Sequence, residues 1–177
     1  MKHRATGLLS ASIAALALVS ACGGDDELHV ADISKDQAWH TVNTNLHSVL
    51  PDWPTNTPFP EDDPTGPLNG LKGCKSEPPS YMASGPPWSV RVEATLSTPT
   101  ASEKDEINRG LDTLLTQGFT EMPGNDTTEP DERAVTNTDK YVVSVNISSN
   151  TGSPEYSVSS SSPCIRFPGD DKYQIGR

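Results

Sequence analysis

The side chains able to do covalent or acid–base chemistry are few, and their spacing excludes most of it. Cysteine stands at Cys22, Cys74 and Cys164, and histidine at His3, His29, His40 and His47. None is at C-x-x-C or H-x-x-x-H spacing, so a tetrahedral metal cage has no support in the pattern. The chain holds no G-x-S-x-G elbow, no H-E-x-x-H helix and no Gly-rich phosphate loop. His40 and His47 fall two turns apart on one helical stretch, about 10 Å of rise, too far to share one ion. Acids outnumber bases by 24 to 13, so finding two carboxylates together decides nothing. The expectation is a non-enzymatic chain without metal or cofactor.

Cys22 is the exception, because its surroundings give it a role. Lys2 and Arg4 precede an uncharged run over 5–21 rich in Leu, Ala, Ile and Val, the layout of a secretory signal. Leu18-Val19-Ser20-Ala21-Cys22 resembles a bacterial lipobox. That resemblance implies removal of 1–21 and diacylation of the Cys22 sulfur, so that Cys22 holds the mature chain to the extracytoplasmic face of the cell membrane. Each buried methylene contributes about 0.8 kcal/mol, so two or three acyl chains anchor firmly where one is marginal.

The formal charge of −11 becomes more acidic once Lys2 and Arg4 leave with the signal. Such a chain repels phosphate backbones and anionic headgroups, which disfavours nucleic-acid binding and polybasic docking. A 33% hydrophobic share with 16 Pro and 13 Gly suits one modest core with long flanks. Cys74 and Cys164 are the remaining cysteine pair of an exported chain, and oxidation there predicts a Cys74–Cys164 disulfide. A loop of that length restricts the unfolded chain by at most about 4–5 kcal/mol.

Segments 22–31 read as an acidic tether and 32–50 as a helix. Ser34 and Gln37 have capping-box spacing, and Ala38, Val42, Leu46 and Val49 repeat at helical period before Pro51. Ten prolines between 51 and 87 predict coil, with Trp53 and Phe59 strapping it to a core. An α+β domain is expected over 88–167. Trp88, Val90, Val92, Ala94 and Leu96 alternate as a half-buried strand. Thr100 and Glu103 open an amphipathic helix that ends at Gly118-Phe119. Strands follow near 119–122, in a hairpin over 133–147, and in a Ser-rich stretch from Tyr156, where dilution by serine suggests a sheet edge. The tail 168–177 reads as loose. The expected architecture is a two-layer sandwich: an antiparallel sheet of four or five strands, covered by helix 101–117 with helix 34–50 beside it, tied by one disulfide.

The lipobox, the early helix, Gly73-Cys74, Pro86-Pro87-Trp88 entering a strand, a helix ending Gly118-Phe119, Asp139-Lys140-Tyr141-Val142-Val143-Ser144-Val145 and Ser162-Pro163-Cys164 together resemble the small actinobacterial lipoproteins of the LppA-like type. The likeness spans about 73–168. That family supplies no established activity, so it transfers no functional residues. The expected function is a membrane-anchored, non-catalytic envelope lipoprotein that binds a protein or wall component. The alternative is a small-ligand or lipid carrier with a cavity between sheet and helices, which needs apolar lining beyond what the core consumes.

Overall fold

The computed structural model describes residues 28–60, 70–77, 82–122, 132–148 and 155–173; the signal segment and Cys22 lie outside them. The class is α+β, with a seven-stranded sheet and two helices, more strands than the four or five expected. In chain order the elements are β1 (Val30–Ala31), α1 (Lys35–Val49), β2 (Leu71–Glu77), β3 (Met82–Ser97), α2 (Ala101–Thr116), β4 (Thr120–Glu121), β5 (Arg133–Thr136), β6 (Val142–Ser148) and β7 (Glu155–Ile165), then a 3-10 turn at Asp170–Tyr173. The strands run antiparallel in the order β2-β3-β7-β6-β5-β4. β1 lies parallel to the end of β7, pairing with Cys164 and Ile165, where β6 no longer reaches.

Both helices start and stop where side-chain chemistry dictates. The Ser34 hydroxyl accepts from the Gln37 N–H at 3.1 Å. At α2 the box is complete: Thr100 Oγ1 accepts from the Glu103 N–H, and the Glu103 carboxylate accepts from the Thr100 N–H at 2.6 Å. Gly118, at φ +96°, ends α2, with Phe119 N–H donating to the Leu114 carbonyl and Gly118 N–H to that of Leu115. This is the two-bond Schellman closure, and Phe119 is buried behind it.

α1, not α2, lies centrally on the sheet, over β3 and β7, while α2 packs on α1 and reaches β5. The expected division of labour is thus reversed, because α1 buries Ala38, Val42, Leu46 and Val49 completely. α2 adds Ile107, Leu111 and Leu114 to the same core, which meets Val90, Val135, Val143, Val145 and Val158 from the strands. Gly110 lets the two helices touch at the backbone: a Cβ there would stand 2.6 Å from Val49 Cα.

The coil expected over 51–87 is corrected in its second half, which forms β2 and the start of β3. Gly85-Pro86-Pro87, whose two X-Pro bonds are cis, lies opposite Cys74 where the β2–β3 register shifts between Gly73 and Lys75. Pairing of β3 with β7 begins only at Trp88. No ladder hydrogen bond is therefore asked of either proline, which is how a strand tolerates them. Residues 51–60 lack regular structure but are strapped down as expected. Trp53 Nε1 donates to Asn43 Oδ1 at 2.8 Å, Trp39 Nε1 donates to the Thr57 carbonyl at 2.6 Å, and Phe59 meets Trp39 edge to face at 5.1 Å under the Lys35 ammonium.

Three other expectations are revised. The tether 22–31 is not wholly free, since Val30 and Ala31 fill the edge of β7 that β6 leaves. The tail 168–177 is docked through Tyr173. The Trp88 indole donates to the Asp170 carbonyl at 3.0 Å, the buried Asp170 carboxylate accepts from Arg166 Nε at 2.6 Å, and the Tyr173 ring packs against Trp88 and Phe167. The Ser-rich last strand is central, between β3 and β6, because serines are small enough to sit under α1 on one face and to line an uncovered face on the other.

Candidate functional site

Strand alternation leaves one side of the sheet without a helix. Val90, Val92, Ala94 and Leu96 face the helices, so Ser89, Arg91, Glu93 and Thr95 point away. Register aligns the uncovered positions into rows across the strands. Lys72, Ser89 and Cys164 form one row; Arg91, Ser161 and Val142 the next; Glu93, Ser159, Ser144 and Ala134 a third; Thr95, Ser157 and Asn146 a fourth. The result is a sheet face of hydroxyls, one amide and a few long charged side chains, with Val142 and Ala134 as apolar members.

A proline in β7 is accommodated by a bulge that also serves this face. The β3–β7 register shifts between Ser89 and Arg91, setting Ser162 and Pro163 together against Val90. Pro163 has no N–H to give, and Ser162 supplies substitutes for the lost regularity. Its hydroxyl accepts from Val90 N–H at 2.9 Å and donates to the Pro163 carbonyl at 2.7 Å, while its own carbonyl accepts from Ser89 Oγ at 2.7 Å. Past the bulge the alternation is rephased, so Ile165 is buried with the core and Cys164 turns toward the uncovered side.

The Cys74–Cys164 disulfide joins β2 to β7 across the intervening β3, with a Cα–Cα distance of 6.2 Å. Next-but-one strands in a regular sheet stand about 9.6 Å apart. The two register shifts flank the bridge and let the outer strands close over β3 at this point. Both cysteines line a groove of about 680 Å³ on the uncovered face.

Charge in this groove is the reverse of charge in the chain. His29, Lys72, Arg91 and Lys140 line it with Ser89, Ser144, Asn146, Ser159 and Ser161, and no Asp or Glu is among the described residues that do. Lys140 occupies the turn into β6 at φ +67°. Lys72 and Lys140 form no ion pair among the described residues. Among the described residues Arg91 pairs with one carboxylate, Glu93, at 2.9 Å, which stands beside Ser159 in the next row. The hydroxyls are partly linked: Ser144 and Ser159 are 3.1 Å apart, and Asn146 Nδ2 donates to Ser144 at 3.1 Å.

Other titratable groups lie outside the groove. His47 Nδ1 donates to the Trp53 carbonyl at 2.8 Å as part of the strap, and His40 is exposed on α1. Burial pushes the Tyr141 phenol up, opposed by a hydrogen bond with Thr41 and assisted by the Asp139 carboxylate, so it stays neutral near pH 7. Arg133 latches α2 to the sheet edge through Asp112 at 2.9 Å and Glu121 at 2.5 Å. The described core side chains pack between sheet and helices, where a carrier would hold its ligand. No described helix is long and apolar enough to cross a membrane.

Of the residues singled out from sequence, Cys74 and Cys164 are brought together and Cys22 lies outside the described residues. The basic, hydroxyl-lined groove was not anticipated. Its signal was present in the polar half of each strand alternation, but which polar positions become neighbours depends on pairing β2, β3, β7 and β6 in that order. No protein-family model, curated protein or solved structure matches the chain.

Proposed function

We propose that this chain is a non-catalytic envelope lipoprotein, anchored by acyl chains on Cys22 at the extracytoplasmic face of the cell membrane, whose uncovered sheet face binds a protein or wall component. The observation that carries the reading is the groove: three cations and a field of hydroxyls, with no carboxylate among its described lining, in a chain with 24 acids. A surface kept so unlike the rest of the chain is where an interaction that tolerates the acidic remainder would be made. Leu28 and His29 line the groove, so it begins about 20 Å of extended chain from Cys22 at most. The groove would therefore work close to the membrane.

Two measurements test this. Intact mass of membrane-extracted protein should show acylated Cys22 and no alkylatable thiol before reduction; a full-length, unlipidated mass refutes the anchor. Cross-linking on cells should capture the same component with the wild type and with Thr113→Trp, on the exposed side of α2, and lose it with Ser144→Trp, which obstructs the groove. Equal capture by all three refutes the face as the binding surface.

A further inference from the structure

We infer that the groove takes an acidic polysaccharide, an extended polyhydroxylated chain whose carboxylates recur along its length. This rests on the binding-module reading above and names its ligand class. Lys72, Arg91 and Lys140 stand on β2, on β3 and in the turn into β6. Regular strands are about 4.8 Å apart, but β2 is drawn to 6.2 Å from β7 at the disulfide, so β2 and β6 lie about 11 Å from each other across the sheet there. That spread exceeds what one carboxylate or phosphate covers and suits successive anionic units of a polymer.

Between the cations the register places Ser89 and Ser161, and in the rows beyond Arg91 it places Ser159, Ser144 and Asn146, donors and acceptors matched to sugar hydroxyls. The other polymers fit less well. A peptide strand adds to a sheet edge, and what is offered here is a face whose backbone groups are already paired in the ladder. Single-stranded nucleic acid stacks its bases on aromatic rings, and no Phe, Tyr or Trp is among the described residues lining the groove. Duplex DNA carries a charge about every 1.7 Å, dense enough for the acidic remainder of the chain to repel it.

Glu93 sharpens the test because it competes with the ligand. Its carboxylate holds Arg91 at 2.9 Å, so removing the charge frees the guanidinium for an incoming carboxylate. The full chain in non-ionic detergent is titrated with oligogalacturonate, with neutral dextran of equal length, and with vesicles of phosphatidylcholine and phosphatidylglycerol. Oligogalacturonate should bind, weakening as salt rises, and dextran should not. Arg91→Gln and Lys72→Gln should each weaken binding by up to about fivefold, and Glu93→Gln should strengthen it by a similar factor, the range expected of exposed ion pairs. A merely structural role for these residues would not produce a gain. No binding of oligogalacturonate, equal binding of dextran, binding of the anionic vesicles in its place, or no gain from Glu93→Gln overturns the inference. If oligogalacturonate fails while Ser144→Trp still abolishes capture on cells, the ligand class is wrong and the binding face stands; if capture ignores Ser144→Trp, the binding face itself fails.

Discussion

Gly110→Ala sets local propensity and tertiary packing against each other. Gly110 lies in the interior of α2, where alanine is favoured over glycine by about 1 kcal/mol. Taken as an isolated helix, the substitution should stabilise. In the fold, an added Cβ would stand 2.6 Å from Val49 Cα and 2.8 Å from the Ser48 carbonyl oxygen. Both are backbone atoms of the last turn of α1, so no rotamer change relieves the overlap and the helices must separate. Overpacking of this kind costs about 1–3 kcal/mol, and a backbone obstacle belongs at the upper end. Less the helix gain, the net loss is about 2 kcal/mol. With an urea slope of about 2 kcal/mol/M, the midpoint should fall by about 1 M in equilibrium unfolding of the disulfide-intact protein. An unchanged or raised midpoint would refute the close crossing of α1 and α2 and with it the placement of α1 on β3 and β7.

Three more outcomes follow from particular contacts. Ser162→Ala orphans the buried Val90 N–H and should cost about 1–3 kcal/mol, whereas Ser161→Ala on the uncovered face should change the urea midpoint little. Replacing Cys74 and Cys164 by serine, read by thermal unfolding, should cost about 2–5 kcal/mol; a loss near zero would mean that the bridge constrains little. Hydrogen bonds from the Thr100 backbone and hydroxyl hold the Glu103 carboxyl below its ordinary value. Its stabilising contribution is therefore present at neutral pH and lost as pH falls through that lowered value, so the wild type should exceed Glu103→Gln in melting temperature at pH 7 and converge with it in acid. A constant difference across pH would refute the capping role.

Legibility in the sequence followed the range of the interactions involved. The ends of α2 were readable because Thr100 with Glu103 at one end, and Gly118 and Phe119 with Leu115 and Leu114 at the other, each act on partners within five residues. The alternation of Trp88, Val90, Val92, Ala94 and Leu96 was readable because one face of one strand is a local pattern. The centrality of β7 was not: its serines look like dilution until α1 is seen above Ser160 and the groove below Ser159 and Ser161. β2 escaped because prolines flank it, and whether a proline is tolerated depends on the ladder opposite, here the register shift at Cys74. The tail escaped because Tyr173 is anchored by Trp88, 85 positions earlier in the chain.

By itself, the sequence determined the α+β class, the caps and boundaries of both helices, the hydrophobic faces of β3 from Trp88 onward and of β6, and the pairing of Cys74 with Cys164 as the cysteines left to bridge. All of these depend on neighbours along the chain or on the count of a rare residue. Tertiary structure alone decided which helix sits on the sheet, which strands are central, and that Lys72, Arg91 and Lys140 share one groove. Those outcomes depend on strand order and register, which join residues dozens of positions apart and leave no periodic trace in the order of amino acids.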